Sequence, residues 1–271
     1  MCRLLGIVAS EPTEFRIVLK EAPRSMATLS RQHPDGWGLA IYDDVPDAEW
    51  VIHKSTQCAQ DDERFHSLAV GSRGEILVAH IRQRTVGHST LENTHPFQRG
   101  RWVFAHNGTI KDLAFLRERS SAERLAEIAG QTDSELFFTY LLTALDRAGL
   151  SDADASLATD AVIRTAMREL RARPDFGACN FLLSEGRSSY AHRFGRSLFL
   201  LERSPSDRVV AMRETKEGVM VQTPWSQRRQ AVIIASERLT DEPWQEVPEG
   251  TLLRVARRPM PSWRLVDACA A

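Results

Sequence analysis

Thr132-Asp133-Ser134-Glu135-Leu136-Phe137-Phe138-Thr139-Tyr140-Leu141-Leu142-Thr143-Ala144-Leu145 is the stretch on which the fold turns. Its first four residues have the Ser/Thr-x-x-Glu form of a capping box, which predicts a helix from there to about Ala148. Leu136, Phe137, Tyr140, Leu141, Ala144 and Leu145 make a broad apolar stripe, and Phe138 and Leu142 widen it. A helix with so little polar face belongs between layers rather than on an open surface.

Working outward, a second helix is expected near Ala155–Arg173, with Ile163, Met167 and Leu170 at i, i+4, i+7 spacing and Pro174 ending it. Before this helical centre lie the strand-length runs Arg3–Ala9, Trp37–Tyr42, Ile76–Arg82 and Trp102–His106. After it come Cys179–Leu183, Ser189–Arg193, Leu198–Leu201, Val219–Thr223, Ala231–Ala235 and Thr251–Val255, with a short tail beyond. Ile76–Arg82 alternates: Ile76, Val78, His80 and Arg82 share one face, while Leu77, Ala79 and Ile81 share the other. Neither an internal repeat nor a long linker interrupts this order. Strands, helices, then strands again point to one α+β domain over residues 1–271, its helices packed on stacked sheets.

The chain has 271 residues, 42% of them hydrophobic and 26% charged, so a sizeable core is expected. Lys plus Arg total 35 against 36 for Asp plus Glu. With no basic excess, nucleic acid and membrane surfaces are not expected partners; a small-molecule enzyme or a protein-binding module is. Cys2, Cys58, Cys179 and Cys269 form no Cys-x-x-Cys pair, and their wide spacing suits a reducing cytoplasm. The apolar run Leu4–Ala9 is too short for a signal peptide, and acidic residues follow it. The eight histidines show no metal-ligand spacing, and there is no Gly-x-x-x-x-Gly-Lys-Ser/Thr phosphate loop. Neither metal nor cofactor is expected.

Several residues can carry chemistry, and each has a plainer reading beside it. Cys2, once Met1 is removed, would offer a thiol nucleophile and, in its own α-amine (pKa about 7.7–8.0), a base to take the thiol proton; the plainer reading is a free cysteine that follows the start methionine. In His80-Ile81-Arg82-Gln83-Arg84-Thr85, a guanidinium at a strand end can clamp a carboxylate; the plainer reading is a surface arginine pair. Asn107-Gly108, after Trp102–His106, is by default a hairpin turn, although a side-chain amide next to a glycine N–H also makes an oxyanion hole. Asp133 suits a first helical turn. His33-Pro34-Asp35-Gly36-Trp37-Gly38 reads as a turn feeding a strand, and His95-Pro96-Phe97 as a loop with a tucked aromatic.

The joint order is far more specific than any single motif. Met-Cys at the start, Asp-Gly-Trp-Gly, His-x-Arg-x-x-Thr, Asn-Thr-His-Pro-Phe, His-Asn-Gly and Thr-Asp-Ser-Glu together resemble the class II glutamine amidotransferases. Gln222-Thr223-Pro224 and Glu242-Pro243-Trp244 resemble the tail of the YafJ-type stand-alone members. The resemblance implies an Ntn-hydrolase fold, a four-layer αββα sandwich of two mainly antiparallel sheets. It further implies that Cys2 attacks the glutamine side-chain amide, that a γ-glutamyl thioester forms as ammonia leaves, and that water then releases glutamate. Asn107 and the Gly108 N–H match the oxyanion hole. Arg82 matches the arginine that holds the substrate α-carboxylate, with Thr85 beside it, and Asp133 matches the carboxylate for the α-ammonium. His106 belongs with these substrate-binding positions, and His95 and Trp37 have supporting roles.

Two positions depart from the pattern. Gln83 stands where many relatives carry an aromatic residue, and Arg84 where the next is often small. Two further functions therefore stay open beside glutamine hydrolysis. One is cleavage of a γ-glutamyl amide in a larger metabolite, as in the related γ-glutamyl-hercynylcysteine sulfoxide hydrolases. The other is a non-catalytic, glutamine-binding regulatory subunit. Because free-running glutaminase wastes glutamine, a separate ammonia-accepting synthase is the favoured partner, with a plain hydrolase as the alternative.

Overall fold

The computed structural model describes residues 2–43, 45, 48–204 and 229–268. Met1, the expected strand Val219–Thr223, Gln222-Thr223-Pro224 and Cys269 fall outside them. In chain order the elements are β1 (Arg3–Glu14), a π-helical turn (Ile17–Glu21), α1 (Met26–Ser30), β2 (Trp37–Tyr42), β3 (Val51–Ser55), α2 (Glu63–Gly71) and β4 (Arg73–Ile81). There follow β5 (Phe97–Arg99), β6 (Trp102–Ile110), α3 (Leu113–Arg119), α4 (Ala122–Ala126), α5 (Asp133–Arg147) and α6 (Leu157–Arg171). The chain closes with β7 (Gly177–Ser184), β8 (Ser188–His192), β9 (Phe199–Arg203), β10 (Ala231–Ala235), β11 (Gln245–Glu246), β12 (Leu252–Ala256) and β13 (Ser262–Asp267).

These strands form a seven-stranded sheet, β11-β9-β10-β1-β4-β2-β3, and a six-stranded sheet, β13-β12-β8-β7-β6-β5. Adjacent strands run antiparallel throughout both. Side-chain alternation sends each central strand into two layers at once. Leu5 and Ile7 of β1 join Phe15, Leu19, Met26 and Phe65 under the π-turn, α1 and α2. Leu4 and Val8, on the other face, meet Val103, Ala105 and Leu182 of the second sheet. Outside that sheet, Phe104, Phe181 and Leu183 pack under α3, α5 and α6. The result is helices, sheet, sheet, helices: the αββα sandwich that the resemblance implies.

Helix α5 is buried along nearly its whole length, as its apolar girth requires. Its cap is only half of the expected box. Thr132 Oγ1 accepts from Glu135 N at 3.2 Å, but the Glu135 carboxylate turns to Gly130 N (2.7 Å), Ala129 N (3.1 Å) and Arg99 Nη2 (2.6 Å). The preceding loop folds back beside it and supplies two backbone N–H donors, and Arg99 of β5 adds a charged one, in place of the cap's single N–H. A reciprocal capping box does occur at α6, between Ser156 and Thr159. Strand β13 extends the second sheet past the expected end near Val255. Most of its residues are exposed or half-exposed, so it lacks a buried alternating face, and Asp267 anchors it to Arg168 and Arg171.

Candidate active site

Cys2 precedes β1 at the edge of the space between the sheets. Because Arg3 pairs with Ile81 and Leu4 with His80, the register carries Cys2 to the residues just after β4. The thiol donates to Gln83 O at 3.4 Å and accepts from Gln83 N at 3.3 Å. Burial pushes the Cys2 thiol up, while the Gln83 N–H and the Arg82 and Arg3 guanidiniums pull it part of the way back. The sulfur is therefore mainly a thiol at neutral pH and needs a base before it can attack.

Arg82 is buried at the end of β4. Its Nη2 donates to Val86 O at 3.1 Å, whereas Nη1 is buried with no hydrogen-bond partner among the described residues. A buried guanidinium N–H left open is costly, and a carboxylate is the partner that its fork geometry suits. The turn before β2 is bolted to the same place. Asp35 N donates to Arg82 O (3.2 Å), Arg82 N to Gly36 O (2.8 Å) and Arg84 N to Asp35 Oδ2 (2.8 Å). Gly36 makes that turn with φ +136°, and Gly38 lets β2 pass His95 O where a Cβ would come within 2.0 Å.

Asn107 and Gly108 are not a turn. Both lie inside β6, opposite Asn180 and Cys179 of β7. The strand runs on to Ile110 because β7 offers a complete ladder, which overrides the local Asn-Gly preference. Staying in the strand aims the Asn107 side chain between the sheets, where its Nδ2 donates to Ser236 Oγ at 3.4 Å. Ser236 Oγ also accepts from Leu4 N at 2.9 Å, two residues from the thiol.

His106, one residue earlier, points the opposite way. Its Nε2 donates to Ala178 O (3.2 Å) and its Nδ1 accepts from the Ser134 hydroxyl (2.8 Å), so the ring lies under α5, stacked near Phe104 and edge-on to Phe137. Burial holds its pKa below the usual value, and the Asp133 carboxylate opposes that shift. The geometry places His106 as a support for the start of α5 rather than as a wall of the cleft. Asp133 is buried there and accepts from Ile110 N at 2.7 Å, at the end of β6. Asn93 ties the loop after β4 to the loop before α5, donating to His88 O (3.0 Å) and accepting from Gln131 N (2.7 Å). Arg82 and Asp133 thus stand on two segments that are joined to each other.

The remaining expected residues divide. Thr85 is exposed on the loop after β4. His95 is buried between His80 (ring centroids 4.3 Å apart) and Phe97 (4.5 Å), with neither ring nitrogen partnered among the described residues. Trp37 is not at the cleft: its indole N–H donates to Asp62 Oδ2 (2.9 Å) and its ring packs on Phe65 in the outer layer. It pairs with Ile81, not Arg82, and so shares the outward face.

Two residues near the thiol, Ser236 and Glu237, went unread in the sequence, and His33 figured there only as part of a turn. His33 Nδ1 donates to the Gln83 side-chain oxygen at 3.1 Å, and burial with the nearby Arg3 guanidinium lowers its pKa to about 4. Glu237 pairs with Arg3, whose Nη1 donates to Cys2 O at 3.1 Å. Ser236 joins Leu4 to Asn107. Its only local mark is that it ends a strand, and its partners lie 232 and 129 residues away.

Residues 1–264 match the family described as glutamine amidotransferases class-II. The YafJ protein of Escherichia coli (strain K12) is 30% identical over 264 residues, which cover 92% of this chain and 95% of that one. The gamma-glutamyl-hercynylcysteine sulfoxide hydrolase of Mycobacterium tuberculosis (strain ATCC 25618 / H37Rv) is 26% identical over 268 residues, 95% of this chain and 94% of that one. Among solved structures, a predicted glutamine amidotransferase from Pseudomonas aeruginosa PA01 superposes with a TM-score of 0.63 at 24% identity, covering 94% of this chain and 97% of the other. Glutamine phosphoribosylpyrophosphate amidotransferase from B. subtilis gives 0.62 at 16% identity, over 98% of this chain but 49% of that one. At these identities the solved structures speak for the fold, which is that of the Ntn hydrolases. The sequence match speaks for the family: the chain belongs to the class II glutamine amidotransferases.

Proposed function

We propose that this protein hydrolyses the side-chain amide of glutamine through Cys2, with Met1 removed so that the α-amine of Cys2 is free. The observation that carries the reading is that Leu4, two residues after Cys2, and Asn107, on the opposite sheet, both bond Ser236 Oγ, which brings Cys2 and Asn107 to the same end of the inter-sheet space. The Cys2 α-amine takes the thiol proton, and sulfur attacks the amide carbon. Asn107 Nδ2 and the Gly108 N–H hold the oxyanion. Its collapse expels ammonia, which leaves with the proton from the amine, and forms the thioester. Water adds to the thioester, and glutamate departs as the thiol is restored. The open Arg82 N–H suits the substrate α-carboxylate and Asp133 the α-ammonium, with Thr85 at the rim and His106 and His95 supporting the walls. Ammonia then passes to a separate synthase.

A second substrate fits one feature of the site. Gln83, in place of an aromatic wall, is tied to His33 beside the sulfur, which leaves that side polar and suited to a γ-glutamyl amide whose nitrogen bears a polar group. A glutamate-release assay on protein whose N-terminus is verified by mass spectrometry tests both, using glutamine and N-substituted γ-glutamyl amides in parallel. Release from glutamine is expected, with none from Cys2→Ala. Full activity from protein that retains Met1 would overturn the mechanism, and a strong preference for the substituted amides would favour the second substrate.

A further inference from the structure

Ser236 stands where β10 leaves the first sheet, and it is almost wholly buried. Up to Ala235, β10 and β1 pair backbone to backbone, with Leu5 opposite Ala235. At the next step the pairing changes character. Ser236 N still donates to Leu4 O (3.0 Å), but Leu4 N donates to the Ser236 hydroxyl (2.9 Å) rather than to a backbone carbonyl. The Ser236 carbonyl has turned away to accept from Ser197 Oγ at 2.9 Å. A side chain has taken over the last rung of the ladder, two residues from the nucleophile.

The same oxygen receives Asn107 Nδ2 from the opposite sheet. A hydroxyl has two lone pairs, and here one faces each sheet. An asparagine amide has two N–H bonds; with one held by Ser236, the other remains for a substrate oxygen. Farther along the space, where Gly6 faces Leu182, the contact between the sheets is apolar and carries no direction. The next residue reinforces the clamp, because Glu237 pairs with the Arg3 that bonds Cys2 O.

We propose that Ser236 is a positioning residue for amide cleavage, its hydroxyl fixing the Asn107 amide against the start of β1 so that oxyanion donor and thiol address one carbonyl. This rests on the reading of Cys2 as nucleophile and Asn107 as oxyanion donor. Displacements of about 1 Å in such an arrangement cost roughly 10²-fold in rate. Ser236 touches no reacting atom, so its effect belongs in kcat and should run through Asn107.

The test measures glutamate release by Ser236→Ala, Ser236→Thr, Asn107→Ala and the double variant Asn107→Ala/Ser236→Ala, with Cys2→Ala as reference. Ser236→Ala is expected to lower kcat by roughly 10- to 10²-fold with KM within about twofold, and Ser236→Thr, which keeps the hydroxyl, to recover most of it. In the Asn107→Ala background the same change should cost less than about threefold, since the group it positions is gone. An unchanged kcat in Ser236→Ala, or an equal loss in both backgrounds, overturns the proposal and leaves Ser236 a purely structural residue. If the alanine variant does not fold, Ser236→Cys, similar in size but a weak acceptor, takes its place in the same comparison. Glutamate release that survives Cys2→Ala defeats the reading of the site itself, and this proposal with it.

Discussion

Along the face that β4 turns toward the second sheet, Ile76 and Val78 are followed by His80 and then Arg82. β1 runs from Val8 back through Leu4 to Cys2, and β10 from Val232 and Ile234 to Ser236. In the second sheet Val103 and Ala105 precede Asn107 on β6, and Leu182 on β7 follows Asn180. Five strands change from apolar to polar at the same end of one inter-sheet space. At the apolar end, Leu182 packs against Gly6 closely enough that a Cβ there would meet it at 3.1 Å. At the polar end, Arg82 Nη1 and both His95 nitrogens are buried without partners among the described residues. Native interiors leave few such atoms open, so the apolar end is closed as a core while the polar end keeps donors and acceptors unspent.

Breaking the apolar end should damage stability and spare chemistry. Leu182→Ala removes a buried side chain from between the sheets and is expected to cost about 2–5 kcal/mol, with kcat of the folded fraction nearly unchanged. Urea unfolding and a glutamate-release assay on the same samples separate the two effects; a collapse of kcat at full folding would show that the ends are not independent.

The converse holds at Asn107. Replacement by alanine should lower kcat by roughly 10²–10³-fold, with a much smaller change in KM, because an oxyanion donor acts mainly in the transition state. A change confined to KM would reduce Asn107 to a strand residue. Asp133→Asn is milder. The amide oxygen can still accept from Ile110 N, so the fold should hold, while glutamate and glutamine both bind less tightly by about 1.5–3 kcal/mol, the worth of a charged hydrogen bond. Unchanged affinity with a lowered Tm, read by calorimetry, would leave Asp133 with its role at the helix start alone.

The smallest expected effect concerns buried polar groups wherever they lie. Burial lowers His33 and His192 to about 4 and His80 to about 3, against about 6.5 in an unfolded chain. Below about pH 6.5 the unfolded chain takes up protons that the folded one refuses. Their contribution is therefore whole above that pH and falls away toward pH 4, by up to about 1.4 kcal/mol per pH unit for each group. His192 is fully buried, with its ring against Phe181 at 5.4 Å, so His192→Phe should flatten the decline between pH 7 and pH 5 in urea titrations. An unaltered slope would assign the acid sensitivity to other groups.

Much of the fold was legible because its long elements are strongly patterned. Trp37–Tyr42 and Ala231–Ala235 are strands with the expected bounds, and the apolar girth of α5 announced its buried place. The short helices α1 to α4 span five to nine residues, too few for a helical period to stand out, although Ser25, Asp62, Asp112 and Ser121 do cap them. At the site, alternation within Ile76–Arg82 correctly joined His80 and Arg82 on one face. The fate of Trp37 and His106 depended on which face of a neighbouring strand each shared.

The sequence by itself determined which residues could do chemistry and the order in which the chain presents them, since that information is local and survives in motif and spacing. Tertiary structure alone decided three things: that Asn107-Gly108 continues a strand, that Glu135 turns from its cap to the loop before it, and that Leu4 and Asn107 share Ser236 Oγ. Each is a competition between a local partner and a distant one. Short-range preferences are worth about a kilocalorie, and a buried hydrogen bond or strand ladder formed across the fold outweighs them.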